Sequence, residues 1–400
     1  MARVMENERD RAWWRAGLAV TSVGWGAQQF APLLLMYQSR LGLSPTVIQA
    51  TFGLYIVGLI PGLLLGGPVS DRYGRRRVMV PALVVSVAAT ALLVLGGSGV
   101  GWLFAGRMLA GVASGAAFSA GAAWIKELSA AGQGPRRLTV TMSAGFGLGP
   151  LVAGMLAQWA PAPTVLPYVP HLILAAVAFP LVLGAPETRR AGGPLRALRV
   201  PETRERRFRT VVVPLAPWVF GSAAIAMAYL PGVVETHLGG HALVFSALVT
   251  LLTAFAGIFA QPLARRVDAP CRPHLLTTSM AIVVAGLLVA ALAAATVQPA
   301  LVVVAALVLG AGYGCCQVCG LIEVQRLAGP DGLAGLTAAY QAVSYLGFVV
   351  PLPLAALGRD VPPGVLLLGV AALAVITLVW TTARARTRAG EALPERQPVS

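Results

Sequence analysis

Ten stretches of this chain contain no Asp, Glu, Lys or Arg: 16–39, 41–70, 78–106, 108–125, 138–186, 210–234, 236–264, 273–322, 332–358 and 361–383. A helix needs roughly 20 mainly apolar residues to cross the hydrocarbon core of a bilayer. Two of the stretches, 138–186 and 273–322, are long enough for a pair of helices each, with natural breaks at Trp159-Ala-Pro-Ala-Pro163 and Gln298-Pro299. Twelve spans are therefore expected. Strands are disfavoured, because a membrane barrel alternates polar and apolar residues, whereas these segments are apolar all round. The composition agrees: 57% of residues are hydrophobic and 11% charged, against about a quarter charged in soluble domains. The expected class is all-α and integral to the membrane, and a soluble enzyme is excluded.

The formal charge of +15 rests on 29 Arg and one Lys. With both termini in the cytoplasm, the basic runs Arg75-Arg76-Arg77, Arg136-Arg137, Arg189 to Arg209, Arg265-Arg266 and Arg384 to Arg388 fall on one side, leaving Arg40 and Arg359 on the other. This is the positive-inside pattern of a multi-pass membrane protein. It assigns the basic runs to cytoplasmic loops and anionic lipid, and removes the reason to invoke nucleic acid. The first apolar segment is full length and is expected to be retained as span one.

One polar interval of any size, 187–210, carries eight Arg against three Glu and a doubled Pro-Glu-Thr at 186–188 and 201–203. It divides the chain into a first six-helix half at 1–186, a cytoplasmic basic linker at 187–210, a second half at 211–383 and a cytoplasmic tail at 384–400. Cys315, Cys316 and Cys319 cluster in one span, with Cys271 elsewhere. Without His or an acid beside them they read as small packing residues among glycines, and no metal or cofactor is expected.

The sharpest local motif is Gly67-Pro-Val-Ser-Asp71-Arg72-Tyr-Gly74-Arg75-Arg76-Arg77, between spans two and three. Gly67 and Gly74 would permit a tight turn, Asp71 would accept hydrogen bonds, and the arginines would donate to facing helix ends. A positive-inside anchor alone would explain the arginines, but not Asp71 with two glycines at this spacing. Arg107 lies within span four, where a charge costs roughly 2.5–3.5 kcal/mol. It should meet partner carbonyls or a polar cavity, or else snorkel to the nearby interface. Span one offers Gln28 and Gln29 and no carboxylate, and a buried amide must find partners.

The loop between spans two and three resembles the corresponding motif of the major facilitator superfamily at every key position. Arg107, Gly111 and Gly115 resemble that family's span-four motif. Gly145-Phe-Gly147-Leu-Gly149-Pro150-Leu-Val-Ala153-Gly154 is similar to the span-five motif associated with its exporters, resembling drug/proton antiporters of bacteria. The resemblance covers the whole chain and implies two pseudo-symmetric six-helix halves with a central site. It also implies pairing of Glu127 with Arg75 or Arg76, a role for Arg107 in proton handling, and a cavity lined by spans one, four, seven and ten. Those spans here supply Gln28, Gln29 and Tyr37, Phe118, Trp218 and Met227, and Tyr313 and Gln317. In the second half, Ala264-Arg265-Arg266-Val-Asp268 is a degraded copy of the loop, and Glu323 stands where Glu127 stands in the first.

The expected function is secondary transport, exporting a small hydrophobic or weakly polar organic solute by alternating access, with protons as the candidate coupling ion. Asp71, Arg75 and Glu127 are expected to clasp the cytoplasmic side. No Walker-type loop is present, and no cluster of catalytic residues falls within the spans. The alternatives are a nutrient importer and a non-transporting sensor or scaffold on the same fold.

Overall fold

The computed structural model describes residues 2–189, 192, 200–267, 274–329 and 332–386. Eleven helices among them are long and apolar enough to cross a membrane: Pro45–Tyr73, Arg75–Ser98, Val100–Leu128, Gly134–Trp159, Leu166–Leu183, Phe208–Val233, Ala242–Val267, His274–Thr296, Pro299–Leu327, Leu333–Leu357 and Pro363–Ala385. These are spans two to twelve.

Span one is discontinuous. Its helix Ala2–Gln28 begins with charged residues, stops mid-membrane, and is followed by a 3₁₀ turn at Ala31–Leu33 and a short helix at Leu34–Leu41. Pro32 has no N–H to return to the carbonyl four residues back, so the helix cannot run on unchanged. The charge-free part of the first piece, 16–28, and the eight-residue second piece are each too short to span alone. Together they complete a twelve-helix, multi-pass membrane protein in two six-helix halves.

Close backbone approach sets the packing inside each half. In the first, span two lies along span four. A Cβ on Gly111 would run into the Tyr55 carbonyl, and one on Gly115 into the Leu59 carbonyl and Leu63 amide. In the second, Gly310 and Gly314 of span ten press in the same way on the Thr253 and Gly257 carbonyls of span eight. Lipid tails give helices no hydrophobic reason to associate, so small residues that bring backbones together supply the contact. The repeat of this device at matching spans is the pseudo-symmetry in atomic form.

Two details differ from the sequence expectation. Gly67 makes no turn, because span two runs through it to Tyr73; a Cβ there would meet open space, and Gly74 alone, at φ 106°, carries the reversal. Span seven starts at Phe208 with a π-helical turn and holds a second one at Ile225–Tyr229. Residues 190–191 and 193–199 of the expected linker, Asp268, Cys271 and residues 387–400 of the tail lie outside the described residues.

Candidate functional site

The face carrying the basic runs holds two carboxylate centres, one per half. In the first half, Arg75 is nearly buried and grips Glu127 with Nε and Nη2 at 3.2 and 2.8 Å. The same Nη2 is 2.7 Å from Asp71, while Nη1 donates to Ser70 Oγ at 2.6 Å. Glu187, the residue that follows span six at the first Pro-Glu-Thr, accepts the backbone N–H groups of Arg75 and Arg76 at 2.8 and 3.0 Å. It thereby occupies the positive end of the span-three helix, and Gly74 is open to it because any Cβ there would strike its carboxylate. Arg76 reaches the Leu183 carbonyl, Thr188 donates to Glu127, and Arg189 stands 3.6 Å from both Asp71 and Glu127. Arg72 stacks on the Tyr73 ring instead. Every partner named here belongs to the first half or to the chain just after it.

In the second half, Glu323 is buried and receives Arg207 bidentately at 2.7 and 3.0 Å, with Arg326 at 3.0 Å. The cation thus comes from the start of span seven. The loop after span eight, where the degraded copy sits, supplies none of these bonds.

Arg107 is buried at 2% exposure and does not snorkel. Nη1 donates to the Ala27 carbonyl at 2.8 Å and Nη2 to the Phe52 carbonyl at 3.3 Å, while the rings of Phe30, Phe52 and Tyr55 surround the guanidinium at 4.5–5.7 Å. Ala27 lies in the last turn of the broken span-one helix. The cation therefore sits at the negative end of a helix dipole and over aromatic faces, both favourable to charge.

At mid-membrane a small cavity of about 30 Å³ is lined by Gln28, Phe146, Phe220, Ala223, Met227, Thr250, Thr253, Ala254, Tyr313 and Phe348. Of the eight residues expected in a cavity, Gln28, Met227 and Tyr313 are there. Gln29 turns away, donating to Thr90 Oγ1 at 3.2 Å, and Thr90 in turn meets the buried His171. Tyr37 bonds Tyr168 and the Leu93 carbonyl, Phe118 packs edge-on to Phe146, and Trp218 is buried in the core. The Gln317 side-chain oxygen Oε1 is buried without a partner among the described residues, off the cavity. Phe220 is the centre of an aromatic stack, with Tyr345 at 4.3 Å and an interplanar angle of 8°, and Phe348 at 5.0 Å. Phe348 then meets Phe52 and Tyr55 of the first half edge-on.

On the face opposite the basic runs, neutral side chains bridge the halves. Gln49 donates to the Ala228 carbonyl at 2.7 Å, Gln158 to Gly240 at 2.8 Å and Thr46 to Ala355 at 3.4 Å. Ala228 lies in the π-helical stretch of span seven. The span-five motif works at two contacts. Gly145 and Gly149 lie on the span-one backbone at Thr21 and Trp25, whereas Gly154 faces Leu243 and Ala247 across the interface. Pro150 is buried inside the span-five helix. Glu235, in the loop beside these clips, has its carboxyl pushed above the usual range by burial.

No curated protein matches the sequence. Solved structures share the fold. One of the peptide transporter POT has a TM-score of 0.77 at 14% identity, covering 96% of this chain and 95% of its own. A POT family transporter in complex with 5-aminolevulinic acid gives 0.75 at 12% identity, over 94% of this chain and 96% of its own. A D-xylose-proton symporter gives 0.69 at 16%, over 93% and 96%. The family model of the Major Facilitator Superfamily matches residues 16–351, so twelve spans, paired halves and a central cavity meet in one assignment: the chain belongs to that superfamily and is a membrane transporter, not an enzyme.

Proposed function

We propose that the protein exports a small hydrophobic or weakly polar organic solute by alternating access, the halves at 1–186 and 211–383 rocking about the linker at 187–210. The observation that carries this reading is the cavity at the junction of the halves, aromatic with a few neutral hydrogen-bonding groups. A strongly anionic solute would find no counter-charge on its walls. The basic face is the cytoplasmic one by the positive-inside pattern, with both termini there and the protein in the bacterial inner membrane. Export is favoured by the resemblance of the span-five motif, Gly145 to Gly154, to that of the superfamily's exporters. Protons are the proposed coupling ion. Arg107, fixed on two carbonyls, acts as a positioning charge for the span-one break; the Arg75–Glu127 centre keeps spans two, three and four together on the cytoplasmic side while the halves move.

Uptake is the second reading, and the likeness to a D-xylose-proton symporter favours it. One assay separates the two. Cells making the protein are loaded with a panel of neutral and cationic fluorescent lipophilic dyes, with and without collapse of the proton gradient. Export predicts lower accumulation that collapse abolishes. Higher accumulation would replace export by uptake, and equal accumulation of every dye would overturn the hydrophobic-solute reading.

A further inference from the structure

The lining of the cavity, once sorted by hydrogen-bond capacity, is more selective than its hydrophobicity suggests. Thr250 and Thr253 donate their hydroxyl protons to the Ser246 and Val249 carbonyls of their own helix, at 2.8 and 2.7 Å. They turn lone pairs, not donors, to a solute. The Gln28 amide and the Tyr313 hydroxyl have no partner among the described residues, so both remain able to donate and accept. All four groups are uncharged.

The charged and titratable groups nearby are held elsewhere. Arg107 is bonded to two carbonyls, and the rings of Phe52 and Tyr55 lie between it and Phe348. His171 is engaged behind Gln29 by Ser86 and Thr90. On span ten, Glu323 is ten residues beyond Tyr313, about 15 Å along the helix, and is closed by Arg207. On span eleven the nearest titratable neighbour of the stack is Tyr345, itself stacked on Phe220. A full charge entering this space loses its water and gains no counter-ion, and the ring faces return to a cation only about 0.5–2 kcal/mol of that larger cost. The free volume, about 30 Å³, is far below the roughly 300–1,000 Å³ of pockets that hold drug-sized ligands. A guest must therefore displace side chains, and a flat ring restores by stacking on Phe220 what it takes from Phe348 or Tyr345, whereas an aliphatic guest does not.

We propose that the cavity binds its solute as an uncharged planar aromatic molecule, stacked on Phe220 and held at one edge by Gln28, so that a weak acid or base is carried only as its neutral species. This rests on the transport reading and deepens it. Any pH dependence of recognition then follows the solute's own ionisation, a tenfold loss of affinity for each pH unit past it, without a proton carrier on the cavity wall.

The test uses the full-length protein in lipid nanodiscs, with binding read by quenching of tryptophan fluorescence. The probes are benzamide, a benzoic acid, and the permanently charged phenyltrimethylammonium. Benzamide should bind with an affinity flat from pH 5.5 to 8.5. The acid should lose affinity about tenfold per pH unit above its own pKa, and the quaternary cation should bind at least a hundredfold more weakly than benzamide. Gln28→Glu should raise affinity for that cation tenfold or more, while Gln28→Leu weakens benzamide without helping the cation. Comparable binding of cation and amide to the unaltered protein, or no binding of benzamide, would overturn the proposal. Counterflow of labelled phenyltrimethylammonium into proteoliposomes keeps the two readings distinguishable: its transport would sink neutral-only recognition and leave transport standing. Neutral-only binding without any effect of the protein on dye accumulation in cells would do the reverse.

Discussion

The two faces of the molecule are held together by different chemistry. On the basic face the bonds are charge-assisted, bidentate and confined within a half, as between Arg75 and Glu127 or Arg207 and Glu323. On the opposite face they are neutral, single and run between halves, from Gln49, Gln158 and Thr46 to backbone carbonyls. A neutral hydrogen bond contributes only about 0.5–1.5 kcal/mol net, whereas stripping one partner from a buried ion pair costs about 3–5 kcal/mol. The strong bonds therefore define what stays rigid, and the weak ones mark where the molecule parts.

The largest break in that contrast is Glu127→Ala, which leaves Arg75 buried with the half-exposed Asp71 as its remaining carboxylate and the Ser70 hydroxyl beside it. Because Glu127 is itself 29% exposed, the expected cost is about 2–3 kcal/mol, below the full buried-pair range. It should appear as a melting temperature lowered by several degrees in detergent. Asp71→Asn removes a 55% exposed carboxylate and should cost under about 1 kcal/mol. Equal losses for the two variants would dissolve the distinction between a buried centre and its exposed rim.

An intermediate effect is expected at the clips. Gln49→Ala with Gln158→Ala should favour opening of that face by about 2 kcal/mol in total, roughly thirtyfold in population. The labelling rate of a cysteine introduced as Ala50→Cys reads this directly, and an unchanged rate would mean that the clips do not hold the face shut. The smallest effect belongs to Glu235. Its folded carboxyl titrates above its unfolded one, so its contribution to stability is present at low pH and is lost as pH rises through the folded value. Glu235→Gln should flatten the pH dependence of melting just above the ordinary carboxylate range, by well under about 1 kcal/mol. A change of slope in the other direction would contradict the burial at that loop.

Most spans were legible because gaps between charges locate them, with Pro163 and Pro299 dividing the two long gaps; Arg107, a charge inside span four, breaks that rule, and the paired halves came from the family resemblance. The break in span one was half legible, since Pro32 announces it but nothing in sequence says that Arg107 of span four will meet the carbonyl of Ala27. In the cavity, Gln28, Met227 and Tyr313 were reachable from the spans that the family resemblance indicates. Phe146 and Phe348 were not, because an aromatic ring on an apolar helix points outward as readily as into a cavity, as the exposed Phe259 of span eight does. Thr250 and Thr253, three apart in the same span, were a polar signal that sequence reading could have used. Glu187 was visible as half of a doubled Pro-Glu-Thr, but capping of a helix distant in sequence is a tertiary fact. The partner of Glu323 was missed for the same reason, since Arg207 stands 116 residues before it in the chain.

The site that receives Arg107 also has an order in time. Both carbonyls that bind it, Ala27 and Phe52, belong to spans one and two, and the chain is made from its N-terminus. When span four leaves the ribosome, the broken helix and its neighbour have already been synthesised, and the arginine enters a receptor built for it rather than bare hydrocarbon. A version of the protein rearranged so that span four is made first would have to carry that cation into the bilayer alone, so the sequence order of the spans is itself part of how this charge reaches the membrane interior.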